Sequence, residues 1–378
     1  MEQKKYKLGD ICDIIAGGDA PLNVTPEKTE TNIIPVYSNG IVKEGLYGYT
    51  DKARIITKAF TVSARGTIGV SFLRNQPFFP IVRLLSVIPN SNEVDLDYLY
   101  YYSKLLRFEK DGSVQQQLTV PMLSNIEVRL LPYSTQCKVA SILSTLDHKI
   151  ALNRAINRNL EALAKQLYDY WFVQFDFPDE KGRPYKSSGG KMVWNEVLKR
   201  EVPEGWEAKR LGDAVEIKRG KTITEKQTSQ GNVKVVAAGL DFSYYHNQSN
   251  RDAYCITVSG SGENAGFVNF WREPIYASDC STIQFEDVID TLLCYYTLKM
   301  QEQRFYRISH KSAQPHVLPS DIAEIPMVFP EVKVKERIRD FLIDSNRIIG
   351  LNTREIERLS HQRDDLLPLL MNGQVTIE

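Results

Sequence analysis

The sequence has no excess of charge of either sign, since its 378 residues carry 47 Lys and Arg against 47 Asp and Glu. It also lacks an apolar run of the ~18 residues that a membrane span requires, and its polar start predicts no signal peptide. We therefore expect no membrane association and a cytoplasmic location. Because the bulk charge is balanced, any surface that binds nucleic acid has to be a local patch.

Cysteine is scarce and carries no metal-binding or redox spacing. The five cysteines are Cys12, Cys137, Cys255, Cys280 and Cys294. Their odd number and the absence of a Cys-x-x-Cys pair disfavour both a disulfide framework and a zinc site, and they fit a reducing compartment.

Catalytic motifs are also missing. The stretch from Ser259 to Ala265 formally fits G-x-G-x-x-A, but residues 266–271 read as a strand where a dinucleotide fold needs a helix, so a hairpin turn is predicted. There is no Walker lysine, the five histidines are scattered, and Asp179 and Glu180 are contiguous in a polar segment. The sequence predicts a binding protein without a catalytic site, a metal site or a cofactor of its own.

Two long stretches show an unbroken 4-3 alternation, which is typical of a helix with one apolar seam. Residues 134–172 contain no Gly or Pro. The first seam consists of Val139, Leu143, Leu146, Ile150, Asn153, Asn157, Leu160, Ala164, Leu167 and Trp171. Adding 199 to each number gives the second seam: Ile338, Leu342, Ser345, Ile349, Asn352, Ile356, Leu359, Arg363, Leu366 and Leu370. We predict helices over 134–173 and 331–372, the second bent or ended within a turn of Pro368.

Each seam needs a partner, and the other helix is the obvious candidate for an antiparallel pair. The residues predicted to pair the helices are Leu146, Ile150, Asn153, Ile349, Asn352 and Ile356. Asn153 and Asn352 are expected to face each other near the centre, because two amides satisfy each other's hydrogen bonds. The alternative is that both point to water.

The rest of the chain is also duplicated. Leu8-Gly9-Asp10 returns as Leu211-Gly212-Asp213, and Thr61-Val62-Ser63 returns as Thr257-Val258-Ser259. We predict an α+β fold with two pseudo-symmetric mixed domains, residues 1–133 and 206–330, separated by the two antiparallel helices. Residues 174–205 read as a linker with little core of its own, and residues 373–378 form a tail.

Polar segments precede both helices at equivalent places, residues 110–117 and 307–316. Their amides, hydroxyls and cations are suited to reading DNA base edges and phosphates. The full set of predicted DNA-binding residues is Arg65, Lys110, Ser113, Gln115, Gln116, Gln117, Lys218, Arg219, Lys221, Ser259, His310, Lys311, Ser312, Gln314 and His316. The alternative is that these segments are simply solvated loops.

Several motifs together resemble those of the specificity subunit of type I restriction–modification systems. They are PYSTQCKVASIL at residues 132–143, SSGGKMVW at 187–194 with PEGWE at 203–207, and LPLLMNGQV at 367–375. The second copy departs at Val332 to Lys335, where the usual Gln is missing. The start lacks a Pro-x-Gly-Trp opening, so a slightly trimmed first domain is expected.

The resemblance implies that each α+β domain reads one half of a split target in double-stranded DNA. It further implies that the antiparallel helices set the spacing and dock two modification subunits, and that restriction subunits join through the complex. S-adenosylmethionine, ATP and Mg would then belong to those partner subunits. The rival hypothesis is a non-enzymatic helical scaffold whose α+β domains bind proteins or small ligands, which salt-dependent, sequence-selective DNA affinity would distinguish.

Overall fold

The computed structural model describes residues 3–108, 117–309 and 315–375. The chain forms two compact units, one from residues 1–152 with 356–378 and the other from residues 153–355. Each unit contains one α+β domain and one part of each long helix. The predicted α+β class is confirmed.

The elements of the first repeat alternate short strands with short helices up to one long helix. They are β1 Lys4–Lys7, α1 Leu8–Ile11, β2 Cys12–Ala16, β3 Ile34–Tyr37, β4 Leu46–Thr50, β5 Ala59–Ser63, β6 Ser71–Arg74, β7 Phe79–Pro80, β8 Leu84–Pro89, α2 Leu96–Ser103, α3 Val120–Ser124, β9 Glu127–Leu130 and α4 Tyr133–Tyr168.

The second half of the chain begins with a β-hairpin and then repeats the same strand order, with one additional helix at Glu302–Ser309. Its elements are β10 Met192–Asn195, β11 Arg200–Pro203, β12 Glu207–Arg210, α5 Leu211–Ala214, β13 Lys218–Arg219, β14 Val233–Val236, β15 Tyr244–His246, β16 Cys255–Ser259, β17 Val268–Trp271, β18 Ile275–Ala277, β19 Cys280–Ile283, α6 Val288–Met300, α7 Glu302–Ser309, α8 Pro319–Ala323, β20 Pro326–Phe329 and α9 Val332–Met371.

The sheets of the two repeats have identical strand orders. The four-stranded sheets run β2-β8-β5-β6 and β13-β19-β16-β17, the three-stranded sheets β4-β3-β7 and β15-β14-β18, and the two-stranded sheets β1-β9 and β12-β20. The central strands β5 and β16 are wholly buried, as their β-branched and apolar sequences favour. The predicted duplication is therefore a duplication of topology.

One turn shows how closely the repeats match. Gly69 and Gly266 follow the central strands with left-handed φ angles of 87° and 90°. A Cβ atom would lie 2.4 Å from the ring of Phe108 in the first case and 2.5 Å from Cβ of Phe305 in the second. Only glycine fits here without displacing a neighbour. The predicted hairpin turn at residues 259–265 is confirmed, because β16 and β17 pair antiparallel across it.

The segment 174–205 was predicted to be a linker with little core, and this prediction is wrong. Phe175, Phe177 and Val202 are buried in the core of the second unit. The ring of Phe177 stacks on Tyr185 at 4.6 Å and on Trp206 at 5.0 Å between centroids. The Pro, Gly and charged residues form the turns between these aromatic side chains, which is why the composition alone suggested a linker.

The long helices match the predicted ranges closely. Helix α4 ends at Tyr168 and continues as a π-helical turn over Asp169–Val173, whereas α9 ends at Met371, within a turn of Pro368 as predicted. All predicted seam positions are buried or half-buried. The 4-3 pattern therefore identified the packed face of both helices.

The helices run antiparallel in each unit. In the first unit, Arg363 Nη1 of α9 donates to Asp147 Oδ1 of α4 at 2.7 Å. In the second unit, Asn352 Nδ2 donates to Asn157 Oδ1 at 2.8 Å. The structure thus corrects the predicted partner of Asn352, which is Asn157, one helical turn beyond Asn153. Asn153 itself is buried on the same face.

The start of α4 is locked by a buried side chain. The Gln136 carboxamide accepts from the backbone N–H of Asp95 at 2.9 Å and donates to the carbonyls of Glu93 and Leu131 at 2.9 and 2.7 Å. At the equivalent place in α9, Lys335 donates to both carboxylate oxygens of Asp290 at 3.0 Å. The missing Gln of the second copy is thus replaced by an ion pair that also joins the helix to its domain.

Candidate nucleic-acid interface

Five segments meet at one edge of the four-stranded sheet of the first unit: residues 17–18, 38–40, 64–69, 83–84 and 117–118. We call this set the first loop edge. Backbone hydrogen bonds of 2.8 to 2.9 Å connect four of these segments to one another. They run from Gly17 N to Leu84 O, from Ala64 N to Arg83 O and from Leu118 N to Ala64 O.

Asn39 fastens the second of these segments to the third. Its side-chain amide donates to the Arg65 carbonyl at 2.7 Å. Its own carbonyl accepts from the hydroxyls of Ser63 at 3.2 Å and Thr67 at 3.0 Å. The turn that carries Arg65 is therefore held on both sides.

The second unit forms the same edge from residues 220–221, 239, 260–266, 279–280 and 315–317, which we call the second loop edge. Its bonds run from Gly220 N to Cys280 O, Gly260 N to Asp279 O and Val317 N to Gly260 O, at 2.8 to 3.3 Å.

His316 forms a β-bridge with Ser261 at this edge. The Ser261 hydroxyl donates to the Asp279 carboxylate. Both contacts tie the turn after β16 to its neighbours, so the second loop edge is as firmly built as the first.

The predicted binding residues that the structure describes divide between this edge and other places. Arg65 and Gln117 lie on the first loop edge, and Lys221 and His316 lie on the second. Arg219 directly precedes Gly220 of that edge. Within the part of the chain that the structure describes, neither the guanidinium of Arg65 nor the ammonium of Lys221 donates a hydrogen bond.

Two predicted residues have other contacts. Ser259 is buried, and its hydroxyl donates to the Gly239 carbonyl at 3.2 Å. The equivalent Ser63 makes the same contact to Asn39, so this location assigns Ser259 a structural role in place of the predicted DNA contact. Lys218 is exposed on β13 before the loop edge, and its ammonium is 3.5 Å from the Glu216 carboxylate.

The remaining predicted residues lie outside the described residues. They are Lys110, Ser113, Gln115, Gln116, His310, Lys311, Ser312 and Gln314. Gln117 and Pro315, the first described residues after each undescribed stretch, both belong to a loop edge.

Sequence reasoning missed Asn39 and Arg83 at the first edge. The composition of Ser38-Asn39-Gly40 favours a turn, but it does not reveal the contact of this turn with the one that carries Arg65. Arg83 is exposed with a left-handed φ of 72°, and its equivalent in the second unit is Asp279, since both accept the N–H that follows the central strand's last Ser. The two edges therefore share this backbone hydrogen bond and differ in charge at the residue that accepts it.

The thiol on the second loop edge offers no nucleophile. Cys280 is buried at the start of β19. Burial raises the pKa of its thiol to about 12, so the thiol stays protonated at neutral pH and reacts poorly. The second edge is suited to binding by its turns and cations.

A family model for the type I restriction modification DNA specificity domain matches residues 2–162 and 203–361, one match for each repeat. The chain belongs to this family. This confirms the family that the sequence motifs resemble. Both loop edges lie within the matched regions.

Individual relatives agree with the family assignment. A type I specificity subunit of Mycoplasma pneumoniae is 35% identical over 172 residues, which cover 45% of this chain and 51% of that protein. The specificity subunit of the type I restriction enzyme MjaIX of Methanocaldococcus jannaschii is 25% identical over 401 residues, 96% of this chain and 88% of that protein. The chain thus spans about half the length of the Mycoplasma relative and most of the archaeal one.

A solved structure has the same fold. The crystal structure of the type I restriction–modification system S subunit from M. genitalium matches with a TM-score of 0.68 at 18% identity, covering 98% of this chain and 96% of that chain. Among the described residues of the present chain, no helix is both long and apolar enough to cross a membrane.

Proposed function

We propose that this chain is the DNA-recognition subunit of a type I restriction–modification complex, in which each repeat reads one half of a bipartite target. The observation that carries the proposal is the pair of loop edges. Both repeats of a DNA-specificity family build the same hydrogen-bonded edge and place different residues on it. A shared backbone with variable side chains is what two readers of different sequences require.

In this function the chain itself carries out no catalytic step. Methyl transfer and DNA cleavage would take place on two modification subunits and on restriction subunits. S-adenosylmethionine, ATP and Mg would bind to those partners, in the cytoplasm. The loop edges would position and select the DNA, with Arg65 and Lys221 on phosphates and Gln117 and His316 near the bases.

An exposed apolar face on the helices supports the proposed docking of partners. In the second unit, Ile156 and Leu163 of α4 and Ile348 and Leu351 of α9 are 37 to 49% exposed. Ile156, Leu163 and Ile348 each directly precede a seam residue, and such positions lie on the same side of an antiparallel helix pair. A helix face of this composition favours contact with another protein.

Mapping of methylated bases in cells tests the proposal directly. Genomes from cells with and without this chain, each supplied with the same modification subunits, are compared for methylated adenines and cytosines. A split motif should be methylated in the presence of the chain and unmethylated in its absence. If no split motif depends on the chain, the DNA-recognition function is wrong and the scaffold hypothesis gains support.

A domain exchange tests the assignment of one half-site to each repeat. Residues 1–133 are replaced by the corresponding domain of another specificity subunit with a known target. We expect one half of the methylated motif to change while the other half and the spacer length stay constant. A change in both halves, or in neither, would contradict independent reading.

A further inference from the structure

The loop that joins β3 to β4, residues 38–45, presents two apolar side chains to solvent beside the first loop edge. Ile41 is 56% exposed and Val42 is 77% exposed. Asn39 of this loop is bonded to the backbone of Arg65, as described above. Two branched apolar side chains are therefore held close to the edge that carries a cation.

The backbone of this β3–β4 loop is tightly folded. Lys43, Glu44 and Gly45 have consecutive left-handed φ angles of 49°, 56° and 80°. This conformation is unfavourable for Lys and Glu, and such strain persists only where the surroundings fix it. The loop is closed by a hydrogen bond from Ser38 N to Gly45 O at 2.8 Å.

A buried arginine fixes the strained turn. Arg74 is 2% exposed, and its Nη2 donates to the Glu44 carbonyl at 2.7 Å while its Nη1 lies 3.4 Å from the Glu44 carboxylate. Its guanidinium carbon is 3.6 Å from the ring centroid of Tyr37, and its Nε donates to Thr61 Oγ1 at 3.1 Å. A buried guanidinium is costly unless its donors are used, and here they define one conformation of the loop.

The second repeat shows what this loop looks like without the arginine. Trp271 occupies the equivalent position, and its Nε1 donates to Thr257 Oγ1 at 2.8 Å. An indole has no further donor, so it cannot also hold the loop between β14 and β15. Residues 237–243 accordingly contain no residue with a left-handed φ angle. Leu240 is the one large apolar side chain that this loop exposes. The clamped apolar turn belongs to the first repeat.

Resting on the proposed function, we propose that Ile41 and Val42 contact the C5-methyl group of a thymine in the half-site read by the first repeat. In the major groove, that methyl group is the apolar feature by which a base pair is distinguished. Lys43, Arg65 and Arg83 supply cations around the apolar turn, as a surface between two phosphate strands requires. Arg74 is a positioning residue, since it acts on the DNA only through the loop.

The test uses the complete complex with its modification subunits and measures competition binding to the bipartite target. Each thymine of the target is replaced in turn by deoxyuridine, which removes the C5-methyl group alone. At the contacted thymine of the first half-site, we expect an affinity loss of about fourfold for one buried methyl group. For deoxyuridine in the second half-site, any loss of affinity should be the same whether or not Ile41 and Val42 are present.

The double variant I41S/V42S is compared with the wild type and with the matched control I56S. Ile56 is 76% exposed and precedes the opposite end of β5. The double variant should bind the thymine target about as weakly as the wild type binds the uracil target, and should lose nothing further with uracil. The control should behave like the wild type, and thermal unfolding of all three should coincide.

The inference is overturned if the wild type ignores every thymine-to-uracil change in the first half-site, or if I41S/V42S keeps the full sensitivity of the wild type. Either result leaves the proposed function standing, because the wild type still selects its target. A wild-type complex without sequence-selective affinity would instead refute the proposed function and this inference with it.

Discussion

At the scale of single residues, equivalent positions keep one structural task while the chemistry changes. Gln136 and Lys335 both fasten a long helix to its domain, one through three backbone hydrogen bonds and the other through an ion pair with Asp290. Both solutions satisfy every buried polar group that they bring into the protein. A substitution is therefore tolerated here only if the new side chain finds partners of its own.

Replacing Gln136 by Leu should destabilise the first unit. The variant leaves the N–H of Asp95 and the carbonyls of Glu93 and Leu131 without their partner, at a cost of about 1–3 kcal/mol for each group that stays unpaired. Urea unfolding measures the free energy of unfolding. The exposed Gln174→Leu is the control, with an expected change within about 0.5 kcal/mol. Equal stability of the two variants would contradict the role of Gln136.

Gly266→Ala should be more destabilising than Gly262→Ala, although both glycines have a left-handed φ. The added methyl group of Gly266→Ala would lie 2.5 Å from Cβ of Phe305, whereas that of Gly262→Ala meets nothing within 4 Å. We expect about 1–2 kcal/mol for the backbone strain in both variants and about 1–3 kcal/mol more for the clash. Thermal unfolding that ranks the two variants equally would show that Phe305 moves aside freely.

At the scale of elements, the helix pair combines an apolar seam with a few polar contacts. The seam positions could be occupied in several registers, since Leu and Ile pack against one another at many offsets. Asn157 bonded to Asn352 at 2.8 Å and Asp147 bonded to Arg363 at 2.7 Å are satisfied in one register. These polar pairs are therefore the elements that select the register.

The amide pair predicts coupling between Asn157 and Asn352. Asn352→Leu removes the donor to the Asn157 side-chain carbonyl, while the Asn157 NH₂ group keeps its 3.4 Å contacts with the Ile349 carbonyl and the Thr353 hydroxyl. The single change should cost about 1–3 kcal/mol, whereas the double variant N157L/N352L should cost less than the sum of the single changes. A double-mutant cycle in urea measures this coupling. Asn153→Leu is the matched control and should show no coupling with Asn352→Leu. Coupling of Asn352 to Asn153 instead would restore the partner expected from the sequence.

At the scale of the whole molecule, two copies of one topology are filled with different cores. The larger core of the second unit includes stacked aromatic side chains from the segment before β12, while the first unit packs the end of α9 against its domain. Both cores bury tyrosines. The identical sheets thus fix where the loop edges lie, and the differing side chains fix what each edge presents.

Buried tyrosines predict a loss of stability in alkali. Burial raises the pKa of Tyr98 and of Tyr295 to about 12, and that of Tyr168 further. Because the unfolded chain releases these protons near pH 10, stability is fully present below pH about 10 and falls between about 10 and 12. The urea midpoint should decrease over this range.

Variants of one buried and one exposed tyrosine test whether burial causes the loss of stability in alkali. Tyr98→Phe should flatten the pH dependence of the urea midpoint, while Tyr47→Phe, at an exposed position, should leave it unchanged. A midpoint that stays constant from pH 9 to about 12 would contradict buried, protonated tyrosines. Tyrosinate absorbance followed in parallel should rise together with unfolding.

Local sequence patterns were enough to predict the repeat, the α+β class and the packed faces of both long helices. These follow from patterns within one segment, since a helix buries every third or fourth residue whatever its partner. The sequence also placed cations at what became the loop edges, because Arg65 and Lys221 stand in turns that Gly-rich chemistry marks locally.

Which residues contact each other depends on the packing of the whole chain. The Asn157 partner of Asn352 depends on how the two helices align along each other. The core role of Phe175 and Phe177 depends on aromatic rings distant in sequence, and the burial of Ser259 depends on a loop from another strand. Arg74 reads as a charged strand end in sequence, yet its contacts with Glu44 and Tyr37 make it a buried clamp. Such contacts join residues far apart in the chain, and their geometry arises from packing that no local pattern encodes.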